Sequence, residues 1–353
     1  MVDFGAIIGD SVNWTKKVLF QPFNFKKWLI LAFIAIMAGS MSNGCNYNSG
    51  GDNHYESQQQ QQQGSGACGD TGEGVPSVHG SGGACAAPSA AGQDMSVFWA
   101  IFGSVMLFIV AILLLFMWLG SRFAFVFIED IIKNDASIKK PFADNADVGN
   151  SYFKFNIVFT LVFMVILLAF IGTGVFIYTI SAFLAFIPLV LVFIVVAAAV
   201  GVFSVMLIDL VLPIMFKDRI KTLAGIGRAW ALVKANKGNF TVYILVKIGL
   251  GIGAGIAYMI AAIGAAIVVL IPVVLIGVAL YFLSKGLPAT AVLPYWIIAG
   301  VILTPICVFL FYCLMSLNLP FAVFFRSMSM KFLEKLDPQY ALIPSEKPVA
   351  AQQ

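Results

Sequence analysis

Residues Asp209–Lys247 read DLVLPIMFKDRIKTLAGIGRAWALVKANKGNFTVYILVK. An apolar run comes down through Leu210–Phe216 and meets Lys217, Arg219, Lys221, Arg228, Lys234 and Lys237, opposed only by Asp218. A second apolar run leaves from Phe240. Two apolar runs flanking a basic connection predict two membrane spans joined in the cytoplasm, because Lys and Arg accumulate in cytoplasmic loops. Within the connection, Ile220, Leu223, Ile226, Trp230 and Val233 recur every three to four residues, while Lys221, Arg228 and Lys234 lie mainly off that stripe. That pattern predicts an amphipathic helix in the membrane surface, with Trp230 at headgroup level.

The whole chain agrees with this stretch. Apolar residues make up 60% and charged residues 11%, with a mean hydropathy of +0.95. An ordinary soluble domain carries about 25% charged residues, so the fold class is an all-α integral membrane protein. The excess of positive charge is interleaved with the apolar runs. Topology and anionic lipid headgroups explain that placement, which leaves no case for a nucleic-acid partner.

Asp10 and Ser11 can cap a first surface helix carrying Trp14, Val18 and Leu19, and Pro22 stops it. Lys26 and Lys27 precede the apolar run Trp28–Met41, so residues 1–41 read as a surface helix and a first span beginning near Asn24. A competing reading takes Ser42-Asn43-Gly44-Cys45 as a lipoprotein signal with Cys45 lipidated. Asn43 and the length of the leader count against it.

From Ser42 to Asp94 the composition changes. This stretch is rich in Gly, Ser, Gln and Asn, and holds Gln58–Gln63 and five acids but no Lys or Arg. Too little apolar surface is present to offset the entropy of ordering, and the charge suits the extracytoplasmic side. A disordered extracytoplasmic loop is expected over 42–94. It contains Cys45, Cys68, Cys85 and both histidines, His54 and His79. One disulfide among these cysteines is the plain expectation. A Cys/His metal site is the sharper alternative, but no CxxC or HxxxH spacing supports it.

The helical bundle is expected over 95–335 and a flexible cytoplasmic tail over 336–353. The second span runs from Met95 to Gly120, and the third starts near Tyr152 and turns near Gly172–Ser181. The fourth returns through Pro188 to Ile208, the fifth leaves from Asn239, and the last covers Trp296–Leu317. Ala265–Leu283 is an extra apolar stretch, read as membrane-embedded or re-entrant. Basic residues at both ends place both termini in the cytoplasm, which requires an even number of crossings, here six.

Three places look alike. Trp14 precedes Asn24-Phe25, Trp230 precedes Asn239-Phe240, and Asn150-Ser151-Tyr152-Phe153 opens the third span. The returning spans end on Arg122-FAFVFIEDII, Asp209-LVLPIMFKDRI and Asn318-LPFAVFFRSMSM. One unit, a surface helix followed by a two-span hairpin, is read three times. The opening LFQPFNFKKWLILAFIAIMAG and the segment RAWALVKANKGNF carry a resemblance to uncharacterised bacterial polytopic membrane proteins. These include the membrane domain fused to some glycerophosphodiester phosphodiesterases. The resemblance implies a multi-span helical protein of the bacterial inner membrane. It brings no phosphodiesterase chemistry, because that domain is missing from the sequence.

No HExxH, GxSxG or Walker-type signature occurs. No catalytic residue, cofactor or metal ligand is therefore assigned. Gly249, Gly251, Gly253 and Gly255 form overlapping GxxxG patterns, read as helix-packing positions, with an unwound transport segment as the alternative. Cys307 and Cys313 read as apolar packing residues. Arg122, Asp209 and Asn318 hold equivalent places in the three units, and Lys247 lies eight residues inside Asn239 just as Asp209 lies eight before Lys217. Each is thus about 12 Å from its flanking residue at 1.5 Å per residue. Ionisable groups at matched depth are expected to pair. The expected role is a non-enzymatic scaffold or accessory protein in the bilayer with an unidentified protein partner. The alternative is a transporter or channel using these polar residues.

Overall fold

The computed structural model describes residues 2–40, 93–179 and 183–344. It divides into two units, residues 1–46 with 113–353, and residues 47–112. In the second unit the described part is the start of one long helix, exposed along its length. No strand occurs among the described residues.

The helices fall into three sets of one kind. The first is α1 (Phe4–Phe20), α2 (Phe25–Met37) and α3 (Gln93–Lys133). The second is α4 (Lys139–Asp144), α5 (Ala146–Thr179), α6 (Phe183–Met206), a π segment (Leu207–Val211) and α7 (Leu212–Asp218). The third is α8 (Thr222–Ala235), α9 (Lys237–Lys285), α10 (Ala289–Ser316) and α11 (Leu319–Leu336). Each set runs an opening helix, read from the sequence as a surface helix, then two further helices and an extension of the last: residues 121–133, 207–218 and 319–336.

Five stretches are long and apolar enough to cross a membrane: Val97–Lys133, Ala146–Ile177, Ile187–Asp218, Lys237–Lys285 and Thr290–Leu336. The chain is a multi-pass membrane protein by this measure. The first expected span is different. α2 has 13 residues, about 20 Å against a hydrocarbon core of about 30 Å. Gly39, at φ +65, follows its C-cap. A left-handed residue there ends the helix cheaply only if it lacks a Cβ. The 42–94 loop and its cysteines and histidines lie outside the described residues, apart from Gln93 and Asp94, which open α3.

Of the two readings of Ala265–Leu283, membrane-embedded or re-entrant, the second is corrected. Ala265–Leu283 belongs to α9, a continuous helix of 49 residues that carries Pro272 inside it. The α10–α11 pair runs antiparallel beside it. Tyr295 Oη donates to the Leu280 carbonyl, and 37 residues further along each strand of that pairing Tyr243 stacks on Phe332. The break at Leu317–Asn318 leaves this register intact. α9 is long because it serves both an outer hairpin and an inner core.

That core is confined to one part of the helices. The apolar stretches of the five long helices are covered by little of the chain itself. Burial concentrates in a collar made of α1, part of α2, the three extensions and the first turns of α9. Phe123–Asp130 are buried at every position, as expected of a helix end apolar nearly all round. α1 contributes a stripe at helical spacing: Ile7, Ser11, Trp14, Thr15, Val18 and Leu19. Trp14 Nε1 donates to the Ile131 carbonyl at 3.2 Å, and Phe4 stacks on Phe332. Asp3 caps α1 through the Gly5 and Ala6 amides, in place of the expected Asp10 and Ser11, which lie inside the helix.

Each surface helix leans on the extension of another set. α8 packs on the π segment and α7, α4 meets α3 through Phe142 against Phe123, and α1 lies along α11. The collar is therefore closed head to tail. α8 uses Thr222, Gly225 and Ala229 for this contact, while Leu223 and Trp230 point outward. The stripe seen in the sequence is thus divided, with Ile220, Ile226 and Val233 packed against the collar and Leu223 and Trp230 turned away from it. A Cβ on Gly225 would lie 2.8 Å from Met215 Cγ and 3.1 Å from Val211 Cγ1, so only glycine permits this approach. The tail is less loose than its composition suggests, because Tyr340 and Ile343 are buried in the collar.

Candidate functional site

Pro213 explains the π segment. A proline in an α-helix clashes with the carbonyl four residues back and offers no N–H. Widening the turn lets the Leu212 amide reach the Leu207 carbonyl, five residues back. The next acceptor in that pattern, Ile208, faces Pro213 and receives nothing from the helix. Arg326 of α11 supplies the missing donor, its Nη1 lying 2.7 Å from the Ile208 oxygen. π-bulges of this kind are frequent at functional sites.

Asp209 stands next to that carbonyl and is buried. Lys247 Nζ of α9 lies 2.5 Å from its Oδ2, and Tyr243 Oη, one turn earlier, donates to the same oxygen at 2.8 Å. The Lys247 side chain is 12% exposed and that of Asp209 4%. A pair withdrawn this far from solvent is held only if its remaining bonding capacity is met, which Tyr243 helps to do. Phe332, with ring centroid 4.1 Å from that of Tyr243, fixes the phenol in place.

A cleft of about 270 Å³ opens beside this cluster. Its walls come from the end of α2, from α3 and α5, and from the π segment, and its lining includes Tyr152, Asn156, Ser121 and Arg326. Asp209 and Lys247 are not among its lining residues. A second, apolar cavity of about 210 Å³ lies between α9 and α10 around Pro272.

The other residues singled out in the sequence are dispersed. Arg122 donates from Nε and Nη2 to Asn150 Oδ1, at 3.2 and 3.1 Å, and lies 4.4 Å over the Trp118 ring. Trp118 Nε1 donates to the same oxygen at 3.1 Å, and a Cβ on Gly149 would lie 2.9 Å from Arg122 Cγ. Arg122 therefore fastens α3 to α5. Asn318 is the N-cap of α11 and its backbone carbonyl accepts from Ala322. Gly251 is buried, but a Cβ on Gly249, Gly253 or Gly255 would meet nothing within 4 Å. The helix packing expected at those three is not made, because α9 is not closely approached there. Cys307 is exposed and Cys313 half-buried. Among the described residues, no three His, Cys, Asp or Glu converge as a metal site.

Sequence reasoning missed Tyr243, Pro213 as the cause of the bulge, and above all Arg326. Arg326 and Lys331 follow the last expected span and count among the basic residues that suit the cytoplasm, and both are buried. One signal was available: Pro213 sits four residues beyond Asp209 in a helical run, so a carbonyl near Asp209 had to find another donor.

A latch closes the opposite edge of the collar. Asp218 Oδ2 accepts from Tyr340 Oη at 2.9 Å and from Arg228 Nη1, while Lys217 donates to the Gln339 carbonyl. Burial, followed by the bond to Asp218, pushes the Tyr340 hydroxyl above its ordinary pKa. It remains a neutral donor at physiological pH. Arg219, left-handed at φ 53, ends α7 and donates to the Asp144 carbonyl and to Asn145 Oδ1.

Residues 6–343 match the model of a family of unknown function (DUF7544), and the chain belongs to that family. No curated protein and no solved structure matches it.

Proposed function

We propose that this member of DUF7544 is a non-enzymatic scaffold or accessory protein of the bacterial inner membrane, with both termini in the cytoplasm. One observation carries the reading. Asp209 and Lys247, a largely buried ion pair, satisfy each other and Tyr243 inside the collar and line neither cavity. A transport path needs such groups facing the cavity through which a solute moves. The exposed apolar helices supply surface for lipid and for a protein partner. α8, with Leu223 and Trp230 outward and Arg228 and Lys234 beside them, suits an anionic headgroup layer.

The contact of α1 with α11 supports an even number of crossings. A transporter or channel is the second reading, favoured by the polar lining around Arg326. Purification in mild detergent separates the two, followed by reconstitution into vesicles. A scaffold co-purifies with a stoichiometric partner and shows no solute flux. Flux that disappears in Asp209→Asn overturns the scaffold in favour of the transporter. Cysteines placed at Gly286 and Lys237 test the topology: an impermeant label should reach the first in intact cells and not the second.

A further inference from the structure

The charge around Arg326 is unbalanced. Its guanidinium is buried, and its ionisable neighbours are Asp209, next to the Ile208 carbonyl that it bonds, Tyr152, which lines the same cleft, and Tyr243, which bonds Asp209. Asp209 is the one carboxylate of the three, and Lys247 already lies 2.5 Å from it. The site thus holds two cations against one anion. Among the described residues the one hydrogen bond of Arg326 goes to a neutral carbonyl, that of Ile208. Buried charges are ordinarily paired, and this one also lines the cleft of about 270 Å³.

The cleft is chemically divided. Tyr152, Asn156 and Ser121 line it together with Arg326, and Phe116 and Met117 of α3 complete it. Phe116 is more than half exposed and belongs to a stretch apolar enough to cross a membrane. The polar part is therefore continuous with a surface that lipid chains would cover.

We infer that this cleft binds the phosphate or carboxylate group of an anionic amphiphile, the anion at Arg326 and the apolar chain along Phe116 and Met117. Tyr152 Oη and the Asn156 amide are the further donors. The anion neutralises the surplus cation, and guanidinium–phosphate bonds are strong where water is excluded. The site stands apart from the scaffold reading, which does not use Arg326, and either can fail without the other.

The test uses the full-length protein purified in a neutral detergent. Bound phosphatidylglycerol and phosphatidylcholine are counted by native mass spectrometry, and inorganic phosphate by equilibrium dialysis, in low salt and in about 0.5 M NaCl, which screens surface charge but not a buried site. One phosphatidylglycerol per chain should persist in high salt, with no phosphatidylcholine. Asn156→Phe, which fills the cleft and leaves Arg326 in place, should weaken binding by about tenfold or more, the loss expected for a charge-assisted bond. Arg326→Gln should do the same. Since it also strips Ile208 of its donor, Asn156→Phe is the deciding variant, and the wild-type arms decide alone if it does not fold. Retention of one phosphate in place of lipid supports the anion site and assigns it a soluble ligand. Equal retention of phosphatidylcholine overturns the inference. So does failure of both anions to bind at one per chain in high salt, or unchanged binding by Asn156→Phe.

Discussion

Phe240 and Phe282 lie on the same helix, α9, and have opposite surroundings: the first is 5% exposed and the second 69%. Near Phe240 the helix is wrapped by α11, and Tyr243 one turn on touches Phe332 and Asp209. Near Phe282 it runs beside α10, whose Tyr295 bonds the Leu280 carbonyl. The same residue type thus serves two solvents, protein in the collar and lipid beyond it. Stability measured on the isolated protein should come from the first, because detergent or lipid accepts the second in both folded and unfolded states. The protein is held together at one end.

The comparison is broken most severely by Phe332→Ala. Its ring is fully buried between Tyr243 and Phe4, and deleting such a ring costs about 3–5 kcal/mol. Thermal melts in a fixed detergent should show the largest loss here. A result near zero would mean that the collar is not the stable unit.

Asp209→Asn or Lys247→Met alone should follow closely, since removing one partner of a buried pair costs roughly 3–5 kcal/mol while replacing both can be nearly neutral. The double variant should therefore melt above either single one. Additive losses would contradict the pairing of these two side chains at 2.5 Å.

Gly225→Val should cost about 1–3 kcal/mol by overpacking, because its added atoms meet Met215 and Val211. Gly227→Ala two residues on, where a Cβ meets nothing within 4 Å, serves as the control. A tryptophan-fluorescence change at Trp230 would report the displacement of α8. Equal behaviour of the two glycine variants would show that α8 does not press on the π segment.

The smallest effect is expected at Phe282→Ala, within about 0.5 kcal/mol as for exposed sites away from special features. A loss comparable to that of Phe332→Ala would erase the distinction between collar and spans.

Much of the fold was legible because its signals are local. Basic loops and apolar runs place the helices from residue type and spacing alone, although only Asn24 caps a helix as expected, α5 opening at Ala146 and α9 at Lys237, ahead of Asn150 and Asn239. Asp209 and Lys247 could be matched because each was counted from a charged or polar marker at the same membrane surface. The collar was not legible, since it depends on which helix ends meet. Nothing local tells that Phe123–Asp130, written in the same apolar alphabet as a span, is buried by protein rather than lipid. Arg326 was not singled out for a related reason: a cation after the last span suits the cytoplasm, and its burial depends on distant parts of the chain folding together, with Tyr340 in the core. α2 shows the opposite failure, where apolar composition through Met41 suggested a span but Gly39 ended the helix early.

The contact between α1 and α11 has a consequence for the order in which the chain is made. α1 leaves the ribosome first and its partner follows more than three hundred residues later. At about 5–20 residues per second that interval is roughly half a minute. Through it the Ile7–Leu19 stripe has no mate, and the surface nearest to hand is the bilayer itself. A nascent chain arrested after Ser316 should hold its spans in the membrane while α1 stays open to a cytoplasmic protease, and release past Tyr340 should close that window. Protection of α1 in the arrested chain would mean that the first helix finds its shelter before the last one exists.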